Sequence, residues 1–417
     1  MGGALRFEIH ARSRRSGARV GRITTPHGSF ETPAFMAVGT KGTVKGIVPP
    51  LLAATGTEVM LCNTFHLLLR PGEQVIRSLG GLHRFTGWAG PILTDSGGYQ
   101  AYSMADRNAI DDDGVTFRSI VDGGSVRLTP ERSIEVQNAL GADIIMAFDD
   151  CPPSIDPTAG AANQTRLRLA AARDSAGQGE YDHAARLRAA NERTIRWLER
   201  CRQAHARPND QALFGIVQGG TDLDARAWCV ERVCGVDLPG YAIGGVAVGE
   251  DHARIAEVTA FTAPRLPTDK PRYLMGVGYE RDLVAAVLAG VDMFDCVLPT
   301  RNGRNGQAFT RTGILRLRNA EHTTDPQPIE PGCDCPACDP AHHGWGAPKG
   351  DCFSRGYIRH LFMAEEMLGP ILVSLHNLRL FQRVMFDIRR AVVEDDWLSL
   401  ARAWPRAAEG LPASLRS

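Results

Sequence analysis

Residues 291–306 read VDMFDCVLPTRNGRNG, a short apolar run that stops at a carboxylate, Asp295, and opens into a loop of Arg, Asn and Gly. A strand of a closed parallel barrel delivers a catalytic acid to the mouth of its site in this way, and the neighbouring basic groups suit a phosphate-bearing substrate. The bland alternative is an Asp that caps a strand end and starts a turn. The remaining sequence decides between the two.

Seven further runs share the pattern of a short β-rich stretch ending in a polar residue or glycine and followed by helical material. They are TPAFMAV (32–38), EVMLCNT (58–64), PILTDSGG (91–98), DIIMAFDD (143–150), LFGIVQGG (213–220), YAIGGVAVG (241–249) and RYLMGVG (272–278). With VDMFDC (291–296) they predict an α/β fold, a TIM (β/α)8 barrel. The runs are continuously apolar, as strands covered by helices on their outer face should be. An open doubly wound sheet would carry a GxGxxG phosphate loop after its first strand, and none is present. The barrel with an N-terminal β-hairpin is expected over residues 1–320, with a long Ala/Arg-rich helical insert at about 155–195. A metal-binding subdomain and barrel-completing helices are expected over 321–395, and a C-terminal tail over 396–417.

The chain has 417 residues, with 47 Lys plus Arg balancing 47 Asp plus Glu, so any RNA binding must come from a local patch. Arg301, Arg304, Arg311, Arg316 and Arg318 form one candidate, with Arg355 and Arg359 further on. A solvated face is the commoner meaning of such runs. The N-terminus has no signal-peptide core and no apolar run reaches membrane-spanning length, so the cytoplasm is the expected location. Ten cysteines then point to metal binding or packing rather than disulfides.

Cys333, Cys335 and Cys338 form CxCxxC within a Pro/Gly-rich stretch that has no core in which to bury thiols. Three thiolates plus one further ligand make a structural zinc site. Spacing leaves the fourth open among His342, His343, Cys352 and His376.

The barrel ends carry Asp95, Asp149, Gln218, Gly244, Gly245, Met275 and Asp295, which a TIM barrel would gather on one face. Two carboxylates there, Asp95 and Asp295, suit glycosidic chemistry: one attacks the anomeric carbon while the other handles the proton. Asp149, Gln218 and the Gly245 backbone offer donors and acceptors for the edge of a planar base, and Tyr99 and Met275 could sandwich it.

The segments TDSGGYQ (94–100), FDDCPP (148–153), FGIVQGG, YAIGGVAVGE, RYLMGVG and MFDCVLPTRNGRNGQAFT, followed by CxCxxC, closely resemble bacterial tRNA-guanine transglycosylases. The resemblance runs from PAFMAVGTKGTVKG to LHN at 375–377. It implies a zinc-containing barrel, usually a homodimer, that exchanges the wobble guanine of tRNAs with GUN anticodons for a 7-deazaguanine in the queuosine pathway, without ATP. Carried over by position, Asp295 is the nucleophile and Asp95 the general acid/base. Asp149 accepts from the N–H groups of the base, and Gln218 and the Gly245 N–H donate to its carbonyl. Ser96 and Gly244 line the base pocket, Tyr99 and Met275 stack on the base, and Arg301 and Arg304 contact the anticodon loop. Zinc is held by Cys333, Cys335, Cys338 and His376.

The sequence departs from the family in the 155–195 excursion, in the insert PAHHGWGAPKGDC (340–352), and at Val246, where Leu is common. Cys151 and Val248 resemble the bacterial type that takes 7-aminomethyl-7-deazaguanine rather than queuine. A non-catalytic RNA-binding subunit would not need both Asp95 and Asp295, and a sugar or nucleoside hydrolase would not need the base-reading set. An archaeal-type relative would carry RNA-binding domains for which residues after about 395 leave no room.

Overall fold

The computed structural model describes residues 3–103, 108–158, 181–346, 348 and 350–416. Three antiparallel strands come first, β1 (Arg6–Arg12), β2 (Arg19–Thr25) and β3 (Gly28–Thr32), where the sequence reads as a two-stranded hairpin. The eight apolar runs then become eight parallel staves. These are β4 (Ala34–Val38), β5 (Met60–Cys62), β6 (Ile92–Thr94), β10 (Ile144–Met146), β11 (Ala212–Val217), β12 (Gly240–Ile243), β13 (Arg272–Leu274) and β14 (Met293–Asp295). The barrel closes where β14 pairs with β4, setting Asp295 opposite Met36. Between β6 and β10 a small antiparallel sheet is inserted, made of β7 (Asn108–Ile110), β8 (Val115–Arg118) and β9 (Ser125–Leu128). A β15–β16 hairpin (Gln307–Thr310, Gly313–Arg316) follows β14.

Alternate stave residues go to two different cores. Met36, Leu61, Leu93, Ile144, Met146, Phe214, Ile216, Tyr273 and Met293 fill the interior, while Phe35, Met60, Ile92, Ile145, Val217, Leu274 and Phe294 pack outward against helices. Both faces are therefore apolar, which is why the runs are continuous. Gly240 makes room for one interior side chain: a Cβ there would lie 2.3 Å from the Phe214 ring. Ile23 of β2 and Phe30 of β3 join the interior cluster, so the N-terminal sheet packs against the barrel interior at its amino end. It is fastened by Arg19, fully buried, which forks onto Asp292 (2.8 and 2.5 Å) at the start of β14.

Among the described residues of the excursion, the helix His183–Ala204 begins at Asp182, whose side chain caps it. Residues 159–180 of that excursion lie outside the described residues. Helices Arg355–Met363 and Leu368–Glu394 follow the cysteine-bearing loop. The break between them falls before Gly369-Pro370, which lies in the first turn of the second helix, where a missing N–H costs nothing. That helix lies on the outside of the barrel, with Phe381 against Phe35 at 4.8 Å. The last residues fold back as short helices, burying Trp397, Trp404 and Leu411 in the main core. Among the described residues, no helix is long and apolar enough to cross a membrane.

Candidate active site

A carboxylate precedes β14 and another ends it, and the two are treated oppositely. Asp292, at the amino end, is neutralised by Arg19 and also accepts the Arg272 N–H at 2.7 Å. Asp295, at the carboxyl end, has no cationic partner among the described residues. It accepts from the Tyr273 hydroxyl at 2.6 Å and the Gly276 N–H at 2.8 Å. Burial raises its pKa above the usual carboxylate value, with the two hydrogen bonds pulling the other way. A carboxylate held by neutral donors keeps its electron pair available for attack, whereas one inside an ion pair does not.

Asp95 follows β6 and is buried among neutral donors. The Asn63 amide approaches to 2.5 Å, the Thr64 N–H to 2.8 Å and the Gln100 amide to 2.7 Å. Burial pushes its pKa up to about 6, the donors lower it, and the negative charge of Asp295 adds to the rise. The last effect places the two acids within electrostatic reach of each other. Ser96 donates to Asp149 (3.2 Å), which also accepts from the Gln218 amide at 2.6 Å. Asp149 is raised further, to about 7, first by burial and then by the charges of Asp150 and Asp95. Its neighbour Asp150 is lowered instead, because Arg186 and Arg193 of the helix His183–Ala204 outweigh its burial.

The remaining residues named from sequence take their places around this row. Gly244 and Gly245 follow β12, and Gly245 has a left-handed φ of +64°. A Cβ on Gly245 would come within 2.4 Å of Gln218 Oε1, so the position requires glycine on both counts. Met275 follows β13 and is half-buried; Tyr99 lies on the helix Gly98–Ser103 and is exposed. Arg301 and Arg304 stand on the helix Leu298–Arg304 directly beyond Asp295, and neither meets an acidic partner among the described residues. The holding residues Asn63, Gln100 and Tyr273 escape a reading of the sequence. Tyr273, inside a buried strand, has no signal that separates it from a packing aromatic.

A separate buried cluster lies beyond β14. Cys333, Cys335 and Cys338 place their thiols 3.6, 3.5 and 3.5 Å from His376 Nδ1. His376 Nε2 donates to the Phe309 carbonyl at 2.8 Å, which turns the lone pair of Nδ1 toward the thiols. His342 is exposed, His343 Nε2 is engaged with the Asp334 carbonyl and Cys352 with the Pro326 carbonyl, so none of these rivals joins the cluster. Three thiols and an imidazole at these separations can hold a metal ion. His27, His83 and Asp143 also meet, at the amino end of β10. There the two imidazoles stack at 3.5 Å with only 14° between their planes, so a single ion could not lie in both ring planes. Asp143 is instead a hydrogen-bond bridge between them.

Three carboxylates without a cationic partner among the described residues, all raised, at strand ends of one barrel, together with a Cys3His cluster, form a combination that can be compared with known proteins. The family profile described as queuine tRNA-ribosyltransferase matches residues 14–180 and 174–409. The chain belongs to this family. A protein named queuine tRNA-ribosyltransferase from Thermus thermophilus is 50% identical over 406 residues, which cover 97% of this chain and 95% of that protein. Relatives of the same name from Symbiobacterium thermophilum (47% identity, 96% of this chain and 91% of the relative) and Nostoc sp. (46%, 98% and 99%) match as fully. The enzyme is accordingly a pentosyltransferase of the tRNA-guanine transglycosylase type. The two profile matches meet within the 155–195 excursion.

Proposed function

We propose that this enzyme exchanges the wobble guanine of GUN-anticodon tRNAs (Asp, Asn, His, Tyr) for 7-aminomethyl-7-deazaguanine, through a covalent aspartyl-ribosyl intermediate, as a step of queuosine biosynthesis. The observation that carries this reading is the row of Asp295, Asp95 and Asp149, the first half-buried and the other two buried, each held by neutral donors among the described residues. Asp295 Oδ bonds to the ribose C1′ as the bond from C1′ to guanine breaks, and Asp95 gives its proton to the departing base. The incoming base then returns a proton to Asp95, bonds to C1′ and displaces Asp295. One glycosidic bond replaces another, so no external energy source is needed. A carboxyl at about 6 suits Asp95, which must be acid in one half-reaction and base in the other.

Asp149 would accept from the N–H groups of the base, with Ser96, Gln218 and the Gly244–Gly245 backbone beside it and Tyr99 and Met275 stacking. Arg301 and Arg304 would meet anticodon phosphates. The target base must leave its stack to enter, which favours a single-stranded loop. The Cys3His cluster would hold one structural zinc per chain. In a tetrahedral site with bonds of about 2.3 Å to sulfur and about 2.05 Å to nitrogen, each S–N edge is about 3.6 Å, which the observed separations fit. A fully ligated ion of that kind orders the loop and takes no part in the exchange. Ten free cysteines accord with a reducing, cytoplasmic setting.

Cys151, buried beside Asp149, and half-buried Val248 resemble the bacterial type, which favours the aminomethyl base over queuine. Competing the two bases for a GUN-anticodon transcript, with mass spectrometry of the wobble nucleoside, tests this. The aminomethyl product is expected; the queuine product would make this a salvage enzyme, and no exchange would remove the proposal. The same assay should be pH-dependent. Below about pH 7 free Asp149 holds a proton and lacks one acceptor, so KM for the base should climb about tenfold per pH unit as pH falls. A flat KM between pH 5.5 and 8 would separate Asp149 from base binding.

A homodimer is part of the same reading. Tyr357, Met363, Met367 and Leu368 are exposed around the break between the helices Arg355–Met363 and Leu368–Glu394, an apolar surface that a second copy would cover. Light scattering should give the mass of two chains; one chain at micromolar concentration would refute it.

A further inference from the structure

Arg226 lies in the first turn of the helix Leu223–Cys234 and is fully buried, yet no carboxylate pairs with it among the described residues. Its guanidinium serves backbone carbonyls instead. Nε donates to Gly220 O at 2.7 Å, and Nη2 to Gly244 O at 2.9 Å and Gly245 O at 3.3 Å. Nη1 has no partner among the described residues. Burial brings the pKa down to about 10, which still leaves a cation at neutral pH. The first loop is shaped to the side chain: a Cβ on Gly219 would lie 2.7 Å from Arg226 Cγ.

The two loops it joins follow β11 and β12 and carry Gln218 and Gly245. In a trans peptide the C=O and the next N–H point in opposite directions. With the carbonyls of Gly244 and Gly245 drawn to the guanidinium, the N–H groups of Gly245 and Val246 are turned away from it. The Gly245 N–H does face the other way, onto the thiol of Cys151, next to Asp149 and Gln218. Burying a charge without a direct ion pair is costly, and the Coulombic attraction of Glu250 offsets only part of that cost. What this one obtains is a fixed direction for two successive peptide planes.

We infer that Arg226 is a positioning residue for base recognition: by holding the Gly244 and Gly245 carbonyls it aims the following amides at the base and locks the Gln218 loop to them. The inference rests on the base-exchange reading above. Its reach is the free base, since tRNA is also gripped through its backbone, remote from these loops.

Arg226→Lys and Arg226→Met separate this role from simple packing, with Arg232→Ala on the exposed side of the same helix as control. Zinc-loaded enzyme is assayed for exchange of labelled guanine at saturating tRNA and, separately, at saturating base. In both variants KM for the base should rise roughly tenfold or more, as expected when charge-assisted hydrogen bonds are lost. KM for tRNA and zinc content should stay as in the wild type. Lysine, a single point donor, cannot serve both loops and should restore little. If Arg226→Met does not fold, Arg226→Lys, which keeps stem and charge, gives the answer. An unchanged base KM overturns the inference, and so does an equal loss in both KM values together with thermal stability. Wild-type enzyme that exchanges no base would sink the functional reading instead; equilibrium binding of guanine to the two variants would then still decide the role of Arg226.

Discussion

Asp295→Asn should leave a folded enzyme that forms no denaturant-resistant adduct with tRNA when the incoming base is withheld, and whose exchange rate falls by roughly 10⁴-fold or more. The substitution keeps the shape of the side chain and an oxygen for the Tyr273 hydroxyl and the Gly276 N–H, but an amide cannot attack C1′. Loss of activity through unfolding is distinguishable by sign. The Asp295 pKa is raised in the folded state, so the native protein binds this proton more tightly than the unfolded chain does. Its ionisation therefore costs stability as pH rises through and above the ordinary carboxylate range, and the variant is spared that cost. At pH 8 Asp295→Asn should melt no lower than the wild type, and the difference should shrink toward pH 4. An adduct that persists in the variant would remove Asp295 as nucleophile. Asp95→Asn should differ in kind: loss of the proton carrier slows exchange by about 10²–10⁴-fold, with the nucleophile still in place.

That contrast also shows what a sequence can reveal about such a site. The eight staves were legible because each is a short apolar run, and Asp95, Asp149, Gln218 and Asp295 because polar residues end those runs. Periodicity cannot rank the acids. Asp292 and Asp295 are three residues apart, one just before and one at the end of β14, and only the packing of Arg19 from β2 shows that the first is structural. The residues that tune the acids were hidden for the same reason. Asn63 and Gln100 look like ordinary loop polars, Tyr273 like core, and Arg226 like one more arginine on an amphipathic helix. The third N-terminal strand was missed because Gly28–Thr32 is short and half polar, and gains its place by burying Phe30 in the barrel interior. The fourth member of the cysteine cluster was undecided by spacing, since the insert at 340–352 supplies nearer candidates. Helix geometry resolves it: His376 is presented by a rigid helix, while His342 stands in solvent.

Removing that helix histidine should have the largest structural effect. His376→Ala should purify with less than one zinc per chain, whereas His342→Ala should retain it. The loss is not confined to the metal: Phe309 O, buried, forfeits its donor. Structural zinc contributes about 10–16 kcal/mol in small domains that have little else. Here Ile329, Ile358, Phe362, Leu372 and Val373 form an apolar cluster around the thiols, and Arg379 forks onto Asp334 (2.8 and 2.6 Å), so part of the order should survive. A fall in melting temperature of roughly 6 °C, from about 5 kcal/mol in a chain of this size, is the expected scale. Proteolysis should begin within the 317–354 loop. The next residue on the helix carries the effect to the site: Asn377 donates to Pro299 O (2.8 Å) and Gln307 O (3.0 Å), at the two ends of the segment that bears Arg301 and Arg304. Zinc loss should therefore raise KM for tRNA more than KM for the free base, the reverse of the pattern expected at Arg226. A variant that keeps full zinc, or a wild-type protein that is metal-free and equally stable, would dismiss the Cys3His site. Equal changes in the two KM values would instead confine the metal to a local role, with Asn377 holding the arginine helix unaided.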